Sequence, residues 1–332
     1  MPEFLRLKPD EQADILSAVS TRSGRTSHVL QKDIWVCWVL KNIFEKDTDI
    51  RMAFKGGTSL SKVFGLIHRF SEDVDVTLDY RDLMPDIDPF ATNVSKSRIK
   101  RLGEALKGRV QSHIRDTILP GLSLSFKELT GESGHIELGE DGEKIWLYYP
   151  SSLGRASGYI QDTVLIEFGG RNVTEPNGPH TISPFLAGEI PHLDFPQSEV
   201  MVLAPERTFW EKATLIHVEC NRKRTRRPDR LSRHWYDLAM IGQAESGANA
   251  ISNRALLEDV VTHKQLFFNA SYAHYNACLT GKFQLVPNNP LLSDLKRDYK
   301  QMHNAGMFDI EPPAFTEIVE LLSEFEDRIN GA

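Results

Sequence analysis

Cysteine is scarce in this sequence. Its three residues, Cys37, Cys220 and Cys278, are odd in number and far apart, which argues against a disulfide framework and fits a reducing compartment. Long apolar runs are missing as well. The longest, Ile34 to Leu40, stops at Lys41, well short of the ~18 residues a membrane span needs, and it reads as a buried helix. The opening MPEFLRLKPDEQ has no apolar h-region, so no secretory signal is expected and the expected location is cytoplasmic, away from any membrane. Excess positive charge is absent too. The formal net charge of −7 argues against wholesale wrapping of nucleic acid. No GxxxxGK[ST] loop occurs, which excludes a Walker-type phosphate cradle. What remains, 40% hydrophobic and 26% charged residues over 332 positions, is the make-up of a globular chain long enough for about two domains.

Hydrophobic spacing predicts helices over Asp10 to Val19 and Ser27 to Phe44, then a short strand, Met52 to Phe54, ending at two glycines. A short helix follows from Thr58, a plausible N-cap, to Leu66, and a strand from Val74 to Leu78. Ser95 to Ile118 reads as a basic amphipathic helix. The middle of the chain reads as β-rich: Leu122 to Leu129, His135 to Tyr149 around an Asp141-Gly142 turn, Thr163 to Phe168 and Val200 to Leu203. From Pro205 onward the pattern is helical, over Glu206 to Cys220, Leu231 to Gln243, Asn253 to Lys264, Pro290 to Asn304 and Phe315 to Ile329. The expectation is an α+β domain followed by a helical one, with a boundary near Ala204.

The chemistry concentrates in FKGGTSLSKVFGLIHRFSEDVDV, from Phe54 to Val76. On a strand, Asp73 and Asp75 point to one side and Val74 and Val76 to the other. Two carboxylates held that close repel each other unless a cation sits between them. The pair suits one or two Mg²⁺ or Mn²⁺ ions, which take oxygen ligands and hold substrate phosphates. Gly56 and Gly57 let a backbone approach an anion closely, and Thr58, Ser59 and Ser61 offer hydroxyls. Alone, either feature is more often a turn or a solvated strand face. A second local feature is NRKRTRRPDRLSRH, residues 221–234, where Arg222, Lys223, Arg224, Arg226, Arg227, Arg230 and Arg233 face only Asp229. By charge it is either a phosphate-facing island or a solvated loop.

The order strand, Gly-Gly-Thr, short helix, Asp-x-Asp strand resembles the DNA polymerase β-type nucleotidyltransferase superfamily. More narrowly, this stretch is similar to the AbiEii/AbiGii-type nucleotidyltransferase toxins. So are LQKDIWVCWVLKNIF (Leu30 to Phe44), APERTFWEKATLIH (Ala204 to His217) and SRHWYDLAMI (Ser232 to Ile241). The resemblance covers most of the chain and is weakest from Arg81 to Gly158. It implies an α+β, polymerase β-like core with a mixed sheet and N-terminal helices over residues 1–203, and a mainly helical domain over 204–332 that completes the active site.

The resemblance also implies roles. A third metal carboxylate comes from a neighbouring strand, and Glu167 in DTVLIEFGGR is the best candidate, since an unpaired carboxylate in an apolar strand is costly; Asp162 is the weaker one. Arg171 could reach a phosphate or pair with a surface acid. Lys212 matches a triphosphate-binding lysine and Asp237 an acid near the active site, there to orient Lys212 or Arg233 or to accept a proton. Ser71 matches a phosphate contact. Lys32-Asp33 reads as a structural ion pair, and Gln31 stands where relatives often carry an acid. His217 and Cys220 lack a second ligand pair for zinc. The implied reaction is transfer of a nucleoside monophosphate from an NTP to RNA, with the 3′ end of tRNA as acceptor, by a toxin with a cognate antitoxin in a type IV-like toxin–antitoxin or phage-defence system. A non-catalytic NTP sensor that binds a partner protein and a metal-dependent nuclease stay open as alternatives.

Overall fold

The computed structural model describes residues 3–46, 48–90, 95–154, 161–223 and 230–331. Two compact units emerge. The first comprises Met1–Val63, Phe70–Asp88 and Arg101–Leu203, and the second Phe64–Arg69, Pro89–Lys100 and Ala204–Ala332.

The first unit begins with α1 (Pro9–Ser23) and α2 (Ser27–Phe44), followed by β1 (Met52–Lys55), α3 (Gly56–Lys62), β2 (Val74–Asp79) and α4 (Tyr80–Leu83). Next come α5 (Lys96–His113), whose first turn is counted with the second unit, and α6 (Leu119–Thr130). The strands β3 (His135–Leu138), β4 (Lys144–Tyr148), β5 (Thr163–Asn172) and β6 (Asn177–Ile182), the short α7 (Phe185–Glu189) and β7 (Ser198–Leu203) complete it. The seven strands form one mixed sheet in the order β3-β4-β5-β2-β1-β7-β6. The Thr26 hydroxyl accepts from Val29 N–H and starts α2, which is buried on every side from Val29 to Leu40 and packs on β7 and β5. Trp35 stacks on Tyr149 at 5.4 Å and meets Phe126 edge-on at 5.7 Å, tying α2 to α6.

Residues 122–129, expected as a strand, are helical. Their Leu-Ser-Leu-Ser-Phe alternation would put Leu122, Leu124 and Phe126 on one face, yet Leu124 is 63% exposed while the other two are buried. The controlling pattern is longer. Leu102, Leu106, Val110, Ile114, Ile118, Leu122 and Phe126 are all buried at four-residue spacing. That spacing drifts from a 3.6-residue helix by about 40° per step. A π-turn at Ile114–Ile118 joins α5 to α6 and absorbs part of the drift. Neither β6, an edge strand containing Pro179, nor α10 (Glu245–Ser252), introduced below, is among the elements expected from the sequence.

The second unit holds α8 (Pro205–Asn221), α9 (Ser232–Gln243), α10, α11 (Arg254–Phe267), α12 (Asn289–Asn304) and α13 (Phe315–Asn330). Its centre is α8 against α9, with Trp210, Trp235 and Tyr236 fully buried. Both indoles are satisfied, Trp210 by Ala250 O at 3.1 Å and Trp235 by Leu285 O at 3.0 Å. The architecture is α+β with a mixed sheet, as the sequence suggested. No helix among the described residues is long and apolar enough to cross a membrane.

Candidate active site

In the first unit the site is built on β2 and the turn into α3. The chain passes directly from β1 into α3, so Gly56 and Gly57 open the helix, and Lys55 rather than Thr58 holds the N-cap position. Gly56 has φ +85°, the left-handed region, and a Cβ there would stand 2.1 Å from Asp75 Oδ2. The Asp75 carboxylate therefore rests on the glycine backbone. The Thr58 hydroxyl donates to Asp73 O at 2.6 Å and the Ser59 hydroxyl to Gly56 O at 2.9 Å, both from buried side chains. These two hydroxyls fix the turn and the entry to β2. Ser59, with no exposed surface, is not placed to touch a ligand through its side chain. Ser71 is half-buried in the segment leading to Asp73.

Gly56→Ala is expected to displace Asp75 and to strain the backbone. The left-handed conformation alone costs about 1–2 kcal/mol. A misplacement of about 1 Å at a reacting centre costs about 10²-fold in rate. Turnover and a thermal melt measure both, and an unchanged rate in a folded variant would remove Gly56 from the site.

Across the sheet, Lys55, Asp75, Glu167 and Lys144 stand in one register row on β1, β2, β5 and β4. Residues directly opposite one another share a face. The other face carries Val74, Ile166 and Ile145, all fully buried, so the apolar side of these strands holds the polar row in place. Lys144 Nζ bridges to Glu167 Oε1 at 2.5 Å, with both side chains more than a third exposed. The Glu167 carboxylate, with Asp141 and Asp73 beyond it, holds the Lys144 ammonium above its ordinary range. Asp73 and Asp75, hard oxygen donors two residues apart beside a backbone that admits close approach, fit a divalent cation. Among the described residues no group of three or more His, Cys, Asp or Glu converges as a metal cluster, and Glu167 is engaged by Lys144. Asp79, which continues the acidic face in sequence, lies beyond a register shift. It is fully buried against Arg81 and Thr174.

Lys32 and Asp33 do not brace α2 by pairing with each other. Lys32 bridges to Glu72, next to Asp73, and donates to Gln161 O at 3.1 Å. Asp33 takes Lys62, at the end of α3, and accepts from Phe185 N–H at 2.7 Å. Both basic groups are buried. The motif thus fastens α2 to the two segments that carry the glycines and the Asp-x-Asp, a role the local sequence did not disclose. Gln31 exchanges hydrogen bonds with Ser151 and Ser152.

In the second unit Lys212 and Asp237 meet, together with Arg69. Asp237 has no exposed surface. Arg69 donates to both its oxygens, at 2.6 and 2.8 Å, and Lys212 Nζ to Oδ2 at 2.8 Å. Burial alone would raise the Asp237 carboxyl, but the two cations hold it far below the carboxylate range. Burial, outweighing Asp237, pulls Lys212 below its ordinary value. A buried, doubly paired carboxylate is not a proton acceptor, so of the roles considered Asp237 is suited to orientation, of Lys212 and Arg69 rather than Arg233. Arg69, the first residue of the Arg-Phe-Ser-x-Asp-x-Asp run, was the available signal for this third member. Its segment is fixed by His68 N–H donating to the Tyr236 hydroxyl at 3.2 Å.

Four residues of the basic island are described. Arg222 stacks on Tyr272 at 4.8 Å and bridges to Glu219, Lys223 is exposed, Arg230 gives its backbone N–H to Asp298 and Arg233 is half-buried on α9. Arg224, Arg226 and Arg227 lie outside the described residues. His217 uses Nδ1 to accept Gln284 N–H at 3.0 Å.

With these features in place, the comparisons give them a setting. None of the curated proteins compared matches the chain. Among solved structures it is similar to MenT4, a nucleotidyltransferase toxin from Mycobacterium tuberculosis H37Rv, at 16% identity and a TM-score of 0.46, over 95% of this chain and 97% of that one. Residues 38–321 match the family described as nucleotidyl transferase AbiEii toxin, type IV toxin–antitoxin system, a span that contains Asp73, Asp75, Lys212 and Asp237. The chain belongs to the AbiEii family of nucleotidyltransferase toxins.

Proposed function

We propose that the chain transfers a nucleoside monophosphate from an NTP to an RNA acceptor, the 3′ end of tRNA, in a reaction that requires Mg²⁺. The observation that supports this most is the seat of Asp75 on Gly56, two residues past Asp73. That geometry holds one of the two oxygen donors against the glycine backbone that would receive the phosphates. A divalent cation there would withdraw charge from the phosphates and ease departure of pyrophosphate. The acceptor hydroxyl oxygen forms a bond to the α-phosphorus as the bond to the bridging oxygen breaks, pyrophosphate leaves, and the hydroxyl proton passes to solvent.

The chain's own residues hold the reactants. Asp73 and Asp75 take the cation. The Gly56-Gly57 backbone, braced by Thr58 and Ser59, receives the phosphates, with Ser71 beside them. Lys212, oriented by Asp237, supplies positive charge to the triphosphate. The basic residues Arg222, Lys223, Arg224, Arg226, Arg227, Arg230 and Arg233 attract the RNA backbone. Family membership implies a cognate antitoxin as partner.

The test is transfer of label from each of the four α-³²P-labelled NTPs, with Mg²⁺, to total tRNA and to protein, beside the Asp73→Ala variant. Label entering tRNA with the wild type alone is the expected result. Label in protein only would overturn the acceptor, and metal-dependent NTP binding without any product would overturn catalysis.

A further inference from the structure

We propose that Lys144 binds the phosphates of the nucleotide and that Glu167 is its anchor, not a third metal ligand. The inference rests on the nucleotidyl-transfer reading and deepens it. Its starting point is the register row. Lys144 on β4 lies opposite Glu167 on β5, which lies opposite Asp75 on β2, so ammonium and carboxylates share one sheet face.

The position of Lys144 is built. Gly139 N–H donates to Lys144 O at 2.9 Å, closing the β3–β4 hairpin, and Phe168 N–H donates to Glu143 O at 2.9 Å. The Asp141 carboxylate accepts Glu143 N–H at 2.9 Å, and Gln111 from α5 donates to Asp141 O at 2.7 Å. The backbone that presents Lys144 is therefore held from three sides. Its side chain is not sealed in. Lys144 is 39% exposed and Glu167 36%, whereas Lys32 and Lys62, which bridge to carboxylates at the same distance, are both 3% exposed. Those two are structural, and Lys144 is open to a ligand.

Charge points the same way. With Glu167 engaged by Lys144, the cation on this face is assigned to Asp73 and Asp75. A nucleoside triphosphate carries more negative charge than one divalent ion cancels. An ammonium two strands from Asp75, beyond Glu167, supplies a positive contact where the phosphates emerge. Glu167, by pairing with it, limits the rotamers of a flexible side chain, the usual work of an anchoring residue.

The experiment measures Mn²⁺ binding by EPR and binding of the α,β-methylene analogues of ATP, GTP, CTP and UTP with Mn²⁺ present. Wild type is compared with Asp75→Asn, Glu167→Gln, Lys144→Met and Lys144→Arg, with melts confirming folding. Asp75→Asn is expected to weaken Mn²⁺ at least tenfold, and Glu167→Gln to leave it within twofold. Lys144→Met is expected to leave Mn²⁺ within twofold and weaken the analogue about tenfold, a loss that Lys144→Arg partly restores. The double variant Lys144→Met/Glu167→Gln is expected to bind the analogue no worse than Lys144→Met, because the carboxylate acts through the lysine. Loss of Mn²⁺ in Glu167→Gln equal to that in Asp75→Asn, or unchanged analogue binding in Lys144→Met, overturns the inference and leaves nucleotidyl transfer standing. A wild type that binds neither Mn²⁺ nor any analogue overturns both.

Discussion

Asp75→Asn is expected to lower the rate of nucleotidyl transfer about 10³-fold, since metal stabilisation of developing charge is worth several kcal/mol and each 1.36 kcal/mol is tenfold. The fold should survive it. Asp75 is half-buried, asparagine has nearly the same shape, and Val74 and Val76 keep the apolar face of β2 in the core. In the absence of metal the melting temperature should stay near that of the wild type, because asparagine keeps the shape of the half-buried side chain. In Mg²⁺ the wild type should gain stability through ligand linkage and the variant should not. Single-turnover label transfer and melts with and without Mg²⁺ test these points together. A variant within tenfold of wild type in rate would take Asp75 out of the metal site.

The acidic strand was legible because its two periodicities coincide. Val74-Asp-Val alternates as a half-buried strand must, and the same alternation puts Asp73 and Asp75 on one side. The helices of the second unit other than α10 were legible for a similar reason: α8, α9, α11, α12 and α13 each have an apolar stripe, and most have a cap or a Pro start. Residues 122–129 misled because a two-residue alternation of Leu, Ser and Phe overlies a four-residue stripe, and only the longer window from Leu102 to Phe126 separates them. Lys32-Asp33 was visible as a motif but not as a device. Adjacent residues on a helix point about 100° apart, so each had to find its partner elsewhere, and a lone sequence does not name Glu72 or Lys62. Lys144 carried no signal. A lysine two residues after an Asp-Gly turn is ordinary until the register of β4 on β5 sets it opposite Glu167.

Asp237→Asn carries the largest expected effect on stability. Removing the charge takes from the buried Arg69 and Lys212 a carboxylate that both bridge to, which costs about 3–5 kcal/mol. The pH dependence has a defined sign. The folded-state carboxyl is held well below its ordinary value, so the stabilisation is complete above the unfolded value of about 3.9 and is lost as pH falls below it toward the folded value. The gap in denaturation midpoint between wild type and variant should therefore be widest near neutral pH and shrink between about pH 4 and pH 2. A gap that is small, or that does not change with pH, would contradict the ion-paired carboxylate. The double variant Arg69→Met/Asp237→Asn separates structure from chemistry. With one buried cation gone as well, much of the lost stability should return. Activity should not return, because Lys212 still lacks the carboxylate that aims it. Recovery of both together would reduce Asp237 to a structural counterion and leave the orientation of Lys212 to other groups.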